Sequence, residues 1–297
     1  MVSPGILLVD KPAGLTSHDV VARTRRAFGT RKVGHAGTLD PMATGLLVIG
    51  IEGATRLLTY IVGADKTYRA TIRLGQTTGT DDAEGDILQQ ADPEAWISVT
   101  DEAVAAGITA LTGQISQVPS AVSAIKVDGR RAYDRVRAGE EVVLAARDVV
   151  VSRFELIDTR RGDGHIDLDV IVDCSSGTYI RSLARDLGAA LGVGGHLIAL
   201  RRSRVGPFDV ADAVGLDLLE GALTLTPAEA AGRILPALSM SNDEARDLRH
   251  GKRLAGQAER LEGTSAAAID PDGVLIGIVE KRGGDLKSAM NMPEADR

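Results

Sequence analysis

The 297-residue chain carries a single cysteine, Cys174, so it forms no internal disulfide, and no Cys/His set with zinc spacing is visible. Aromatic residues make up only 3% of it, which leaves the core to aliphatic side chains. No apolar run approaches the length of a bilayer span, and no basic-then-apolar segment opens the sequence. The expectation is a soluble protein of the reducing cytoplasm, with no membrane association. The phosphate-cradling pattern G-x-x-x-x-G-K-[ST] is also missing, which argues against a metabolic enzyme built on a nucleotide loop. An excess of positive charge is missing too. The formal net charge is −7, the wrong sign for a generic nucleic-acid binder.

The distribution of charge points the other way. Residues 1–73 hold ten Lys/Arg against five Asp/Glu, and residues 181–204 hold five arginines and one acid. Residues 81–102 hold eight acids and no base, and 205–247 hold eight acids and two bases. A polyanion responds to the local field rather than the sum, so one basic working face on an acidic body fits the pattern.

The densest stretch is Lys32 to Gly50, K-V-G-H-A-G-T-L-D-P-M-A-T-G-L-L-V-I-G. Gly34, Gly37, Gly45 and Gly50 surround one acid, Asp40, and one histidine, His35. Glycines let backbone turn tightly and approach a ligand, and the apolar run Leu46 to Ile49 reads as a buried strand. A carboxylate on a loop beside a rigid strand is a common catalytic placement. Asp before Pro is equally a good helix start, with Asp40 as N-cap and Pro41 at the first helical position.

Elsewhere Ile6 to Val9 reads as a strand and Ser17 to Phe28 as a helix with Ser17 as its cap. Tyr68 to Leu74 and Ile166 to Cys174 alternate as half-buried strands should. That places Cys174 on an apolar face as a core residue. Ser182 to Leu191 reads as a helix stopped by Gly192, Gly194 and Gly195. Thr78 to Asp86 reads as an exposed turn, because its acids lack the spacing of a calcium loop. Strands and helices mix without a βαβ rhythm, so the expected fold is α+β, a mixed, largely antiparallel sheet flanked by helices. A boundary is expected near Pro236. Beyond it come a helix from Asn242 to Leu248 and strands Ser265 to Ile269 and Val274 to Val279, joined by an Asp-Pro-Asp-Gly turn.

G-H-A-G-T-L-D-P-x-A-T-G-L-L resembles the signature of the bacterial T-loop tRNA pseudouridine synthases, the TruB family. Five further segments resemble that family in order: L-L-V-D-K-P-A-G-L-T-S (Leu7 to Ser17), K-T-Y-R-A with L-G-Q-T-T (Lys66 to Thr78), V-P-S-A-V-S-A-I-K (Val118 to Lys126), C-S-S-G-T-Y-I-R-S-L (Cys174 to Leu183) and L-R-R-S (Leu200 to Ser203). The resemblance implies a pseudouridine synthase domain over residues 1–236, with an RNA-clamping insertion at about 116–146. It also implies a short, β-rich PUA-like RNA-binding domain over 237–297, in which L-R-H-G-K-R-L (Leu248 to Leu254) falls. The family usually shows T-D-T where this chain has Thr78, Gly79 and Thr80; Asp82 still matches a later motif position and takes a supporting role.

The implied activity is isomerisation of uridine to pseudouridine at position 55 in the T-loop of tRNA. The ribose–N1 bond breaks, the uracil turns, and it rejoins through C5. Nothing is oxidised or hydrolysed, so no cofactor and no metal are expected, and no protein partner is required of a monomer that binds the tRNA T-arm. An ordinary Asp, with a pKa of about 3.9, is ionised and ready for this work at neutral pH. By resemblance Asp40 is the essential carboxylate. Attack on the sugar, addition to the uracil and removal of a sugar proton all stay open to it. Arg181 would orient it through a bidentate contact. On periodicity alone Tyr68 packs in the core; the resemblance makes it the stacking partner of the target base. Leu200 becomes a wall of the base pocket, and His35 fills the loop as the base leaves the stack. Lys11, Lys126, Arg130, Arg131, Arg201 and Arg202 become substrate contacts, with Arg135 and Arg137 on the same arm. Two rivals share these features: an RNA-guided synthase subunit, which needs partners and basic extensions, and an RNA-folding helper with vestigial catalytic residues.

Overall fold

A computed structural model describes residues 2–120, 126–127, 130–131 and 144–293. It divides into two compact units, one of Met1–Pro41, Gly45–Gly63 and Val205–Arg297, the other of Met42–Thr44 and Ala64–Arg204.

The first unit opens with β1 (Gly5–Lys11), α1 (Ser17–Phe28), β2 (Val33–Ala36) and β3 (Thr44–Ile51). β1 and β2 both pair antiparallel with β3, from Gly5 opposite Ile51 to Lys11 opposite Gly45, and from Val33 opposite Ile51 to Ala36 opposite Val48. Leu46, Leu47, Val48 and Ile49 are all fully buried, as an unbroken apolar run requires of a strand covered on both faces. α1 packs Val20 and Val21 against Leu7, Val9, Leu47 and Ile49. Thr16, not Ser17, caps α1. It forms a reciprocal capping box with Asp19, and Gly29 ends the helix in the left-handed conformation.

The second unit is built on an antiparallel sheet. Its strands are β4 (Lys66–Leu74), β7 (Gly113–Gln117), β8 (Arg147–Gly162), β9 (His165–Cys174) and β10 (Gly195–Val205), in spatial order β10-β4-β9-β8-β7. The hairpin of β5 (Gln76–Thr78) and β6 (Ile87–Gln90) and the helices α2 (Asp101–Ala110) and α3 (Ile180–Ala190) belong to the same unit. The two alternating runs read from sequence lie in register. Tyr68 faces Val172, Ala70 faces Val170, Ile72 faces Leu168 and Leu74 faces Ile166. All eight side chains are buried, each large aliphatic one stabilising the fold by roughly 1.5–3 kcal/mol. The intervening residues form a polar ladder on the other face. Thr67 bonds Asp173, Thr71 bonds Asp169 at 2.7 Å, and Arg73 grips Asp167 through Nε at 2.8 Å and Nη2 at 2.7 Å.

α3 buries Ile180, Leu183, Ala184, Leu187 and Gly188, the i, i+3, i+4, i+7, i+8 stripe of a helix laid on a core. A Cβ on Gly188 would lie 2.2 Å from the main chain of Gly194 and Gly195, so only glycine lets α3 rest on that turn. Cys174 is 1% exposed, and burial pushes its thiol up to about 11, as befits a core residue. Between Ser120 and Leu144 only Lys126–Val127 and Arg130–Arg131 are described, as a short antiparallel pair.

The C-terminal part of the first unit holds α4 (Pro227–Ile234), α5 (Asn242–Arg249) and a four-stranded sheet of β11 (Ala237–Ser239), β12 (Ser265–Ile269), β13 (Leu275–Arg282) and β14 (Asp285–Asn291). β11 runs parallel to β12; the other pairs are antiparallel. Capping boxes start both helices, Thr226 with Glu229 and Ser241 with Glu244. A separate apolar cluster, including Met240, Leu248, Leu254, Ile276 and Leu286, forms its core. Among the described residues no helix is long and apolar enough to cross a membrane.

Candidate active site

Asp40 sits half-buried on the loop between β2 and β3. No helix begins there, so Asp40 is not an N-cap; the loop runs irregularly from Gly37 to Ala43. Gly37 at φ 87° and Gly45 at φ 100° supply conformations that side-chain-bearing residues rarely adopt. Both neighbours of Asp40 are tied down. The hydroxyl of Ser17, 1% exposed, accepts from Leu39 N at 2.8 Å and donates to Leu39 O at 3.2 Å. On the other side Pro41 O accepts from Gly14 N at 2.8 Å and from Lys11 Nζ at 3.2 Å. Lys11 is fully buried and also donates to Leu15 O at 2.6 Å and Pro12 O at 3.0 Å. The buried ammonium thereby closes the turn after β1 and joins it to the Asp40 loop. His35, on β2, meets the ring of His18 edge-on, with centroids 5.7 Å apart.

The second unit holds Arg181. It lies in the first turn of α3, 5% exposed, and its Nη1 is 3.2 Å from Asp82 Oδ2 and 2.9 Å from Thr80 O. The Thr78–Asp86 segment is a turn with Gly79, Ala83, Glu84 and Asp86 exposed, but Asp82 within it is 2% exposed and lies inward. Its Oδ1 accepts from Thr80 Oγ1 at 2.5 Å and from Glu84 N at 3.0 Å, and Asp81 at φ 60° turns the chain inward just before it. The environment is that of a buried ion pair with further hydrogen bonds, the arrangement that makes such a pair tolerable. From the sequence Asp82 takes only a supporting place, because its partner lies far along the chain and the acids of 81–102 read as part of an acidic body.

Tyr68 is 8% exposed on the buried face of β4, and Leu200 is 8% exposed on β10. Two residues before Tyr68, Lys66 is buried. Desolvation and the neighbouring Arg202 bring its ammonium down to about 8, and it donates to Ala64 O at 2.5 Å. Arg202 is 1% exposed, whereas Arg201 is half-buried with Nη1 3.5 Å from Thr44 Oγ1. The side chains of Lys126, Arg130, Arg131, Arg135 and Arg137 lie outside the described residues. No cluster of three metal-ligating side chains occurs among the described residues.

Comparison with known proteins follows the same path along the chain. The N-terminal domain of TruB family pseudouridylate synthases matches residues 25–180. The chain belongs to the TruB family. The C-terminal domain of tRNA pseudouridylate synthase B matches residues 181–240, and the C-terminal domain of tRNA pseudouridine synthase II matches residues 235–293. A tRNA pseudouridine synthase B of Leifsonia xyli subsp. xyli is 62% identical over 99% of this chain and 98% of its own length. One of Mycobacterium ulcerans is 56% identical over 97% and 94%. The fold also matches a chain in the crystal structure of the archaeal box H/ACA sRNP Nop10–Cbf5 complex, with a TM-score of 0.71, 24% identity, and coverage of 99% of this chain and 88% of that one. The expected α+β fold with a PUA-like C-terminal module is thus the fold of this TruB family member.

Proposed function

We propose that this TruB family enzyme makes pseudouridine at position 55 in the T-loop of tRNA, with Asp40 as the essential carboxylate and the target uridine turned out of the stack. The observation that carries the reading is the double tethering of the Asp40 loop. Leu39 is held by Ser17, and Pro41 by Lys11 and Gly14, so the acid between them has little freedom to reorient. Rigid placement of a reacting group removes much of the entropy cost of reaction.

The chemistry is an isomerisation. The C1′–N1 bond breaks, the uracil turns, the C5–C1′ bond forms, and C5 loses a proton while N1 gains one. Asp40 works on the reacting nucleotide, Arg181 orients and charges the site, and Tyr68 and Leu200 flank the base. Asp82 holds Arg181 through its ion pair. A half-buried acid on a fixed loop is out of reach of a stacked base, so the nucleotide must come to it. A loop target lowers the unstacking cost of a few kcal/mol. His35 on β2 and Arg201 on β10 make the RNA contacts, joined by the Lys126–Arg131 arm. The protein works on tRNA without a partner protein.

Carbodiimide modification and primer extension on an unmodified tRNA incubated with the protein test this reading. A single new stop in the T-loop is expected. Stops only in other arms, or none despite tRNA binding, would overturn the T-loop assignment.

A further inference from the structure

We infer that Gln117 is a positioning residue for Arg181, fixing the start of α3. The inference rests on the reading of Arg181 as part of the reaction site.

Gln117 is the last residue of β7 and is 2% exposed. Its side-chain amide makes both bonds that a neighbouring strand would make to one residue. Oε1 accepts from Tyr179 N at 2.8 Å, and Nε2 donates to Tyr179 O at 3.1 Å. Tyr179 is the extended residue immediately before α3, at φ −102° and ψ 109°, and its own side chain makes no capping bond to the helix. Arg181 lies two residues further on, so the direction in which it leaves the helix follows from how Tyr179 is held. A glutamine is suited to the task because its planar amide offers an adjacent donor and acceptor that match one residue's main-chain N–H and C=O, and its extra methylene over asparagine gives the reach.

The residues that follow Gln117 grip the other half of the ion pair. Ser120, 1% exposed, donates through Oγ to Thr80 O at 3.3 Å, the carbonyl that also accepts from Arg181 at 2.9 Å. Val118 O accepts from Arg185 Nη2 at 2.7 Å, and Arg185 Nη1 reaches Asp81 Oδ2 at 3.3 Å. Three of the four residues 117–120, namely Gln117, Val118 and Ser120, therefore touch the beginning of α3, the Thr80 carbonyl and, through Arg185, the Asp81–Asp82 turn. They supply no group of their own to the reaction. What they hold is the relative placement of Arg181 and Asp82, and a displacement of about 1 Å at such a site costs on the order of a hundredfold in rate.

The test is a double-mutant cycle on single-turnover conversion of an unmodified tRNA, with tRNA affinity by filter retention and thermal melting followed in parallel. Gln117→Leu removes both bonds to Tyr179 at similar volume. It is expected to slow conversion about tenfold or more while tRNA affinity stays within about threefold, and to slow an Arg181→Lys enzyme by less than about twofold, because positions that act through one another are not additive. Equal slowing in both backgrounds, or no slowing per folded molecule in the first, would overturn the inference. If Gln117→Leu does not fold, Gln117→Glu, which keeps the acceptor for Tyr179 N and loses the donor, and Ser120→Ala enter the same cycle under the same criteria. A wild-type protein that converts no tRNA uridine would sink the functional reading instead, whereas an active wild type with an additive cycle would sink only the role of Gln117.

Discussion

The Asp40 loop and the Arg181–Asp82 pair hold their charged groups in opposite ways. Around Asp40 the neighbouring main chain is pinned, by Ser17 at Leu39 and by Lys11 and Gly14 at Pro41. Around Arg181 the side chain itself is pinned, by a buried carboxylate and a carbonyl. The first device spreads the holding over several hydrogen bonds to the main chain on either side of the acid. The second concentrates the holding in one ion pair and one carbonyl, so that a single substitution at the carboxylate removes its charged half.

That contrast predicts a graded set of effects. Asp82→Asn should be the most damaging support mutation. Breaking one side of a buried pair costs about 3–5 kcal/mol, which denaturant unfolding would register. Single-turnover rate should fall roughly a hundredfold through the displaced Arg181, with tRNA affinity little changed. A stable, fully active Asp82→Asn protein would show that the pair is incidental. Ser17→Ala is next. It strips two bonds from Leu39 and should cost about 1–3 kcal/mol, with a rate loss smaller than that of Asp82→Asn. A larger rate loss than Asp82→Asn would reverse the ranking of the two devices. Arg130→Ala with Arg131→Ala should leave the rate at saturating tRNA nearly intact and lower the salt slope of binding by about 2. An unchanged slope would remove the arm from phosphate contact.

The smallest effect concerns pH. Burial depresses the folded-state pKa of Lys66 to about 8, below its unfolded value, so the unfolded chain binds the extra proton. Its contribution to stability is therefore unfavourable at neutral pH and improves as pH rises from about 8 toward the ordinary lysine range. Lys66→Met should flatten the rise in stability between pH 8 and 10, read by melting temperature. A rise unchanged in that variant would assign it to another group.

Much of the fold was legible because burial imposes a period. Tyr68 to Leu74 and Ile166 to Cys174 alternate, and the register sets their buried residues opposite one another. Leu46 to Ile49 reads as a buried strand for the same reason. Capping was legible to within one residue. Ser17 looks like a cap, but Thr16 takes that position because Ser17 is drawn inward to Leu39. The Asp40–Pro41 pair allowed a helix start or a loop, and local sequence could not decide, because the anchors at Lys11, Gly14 and Ser17 come from a different segment. Asp82 was hidden by the same limit. An acid in an acidic stretch looks solvated until its arginine is brought to it by folding. Lys11 and Arg202 teach the converse, since both looked like RNA contacts and both are buried. A phosphate role for either requires the side chain to leave that position, whereas Arg201 is partly open already.

The central claim is that Asp40 is the acid on which the reaction depends. Tritium release from tRNA carrying [5-³H]uridine, measured for the wild-type protein and Asp40→Asn side by side, tests it most directly. Release by the wild type is expected, with a loss of at least about a thousandfold in the variant while tRNA binding is retained. Turnover by Asp40→Asn close to that of the wild type would contradict it.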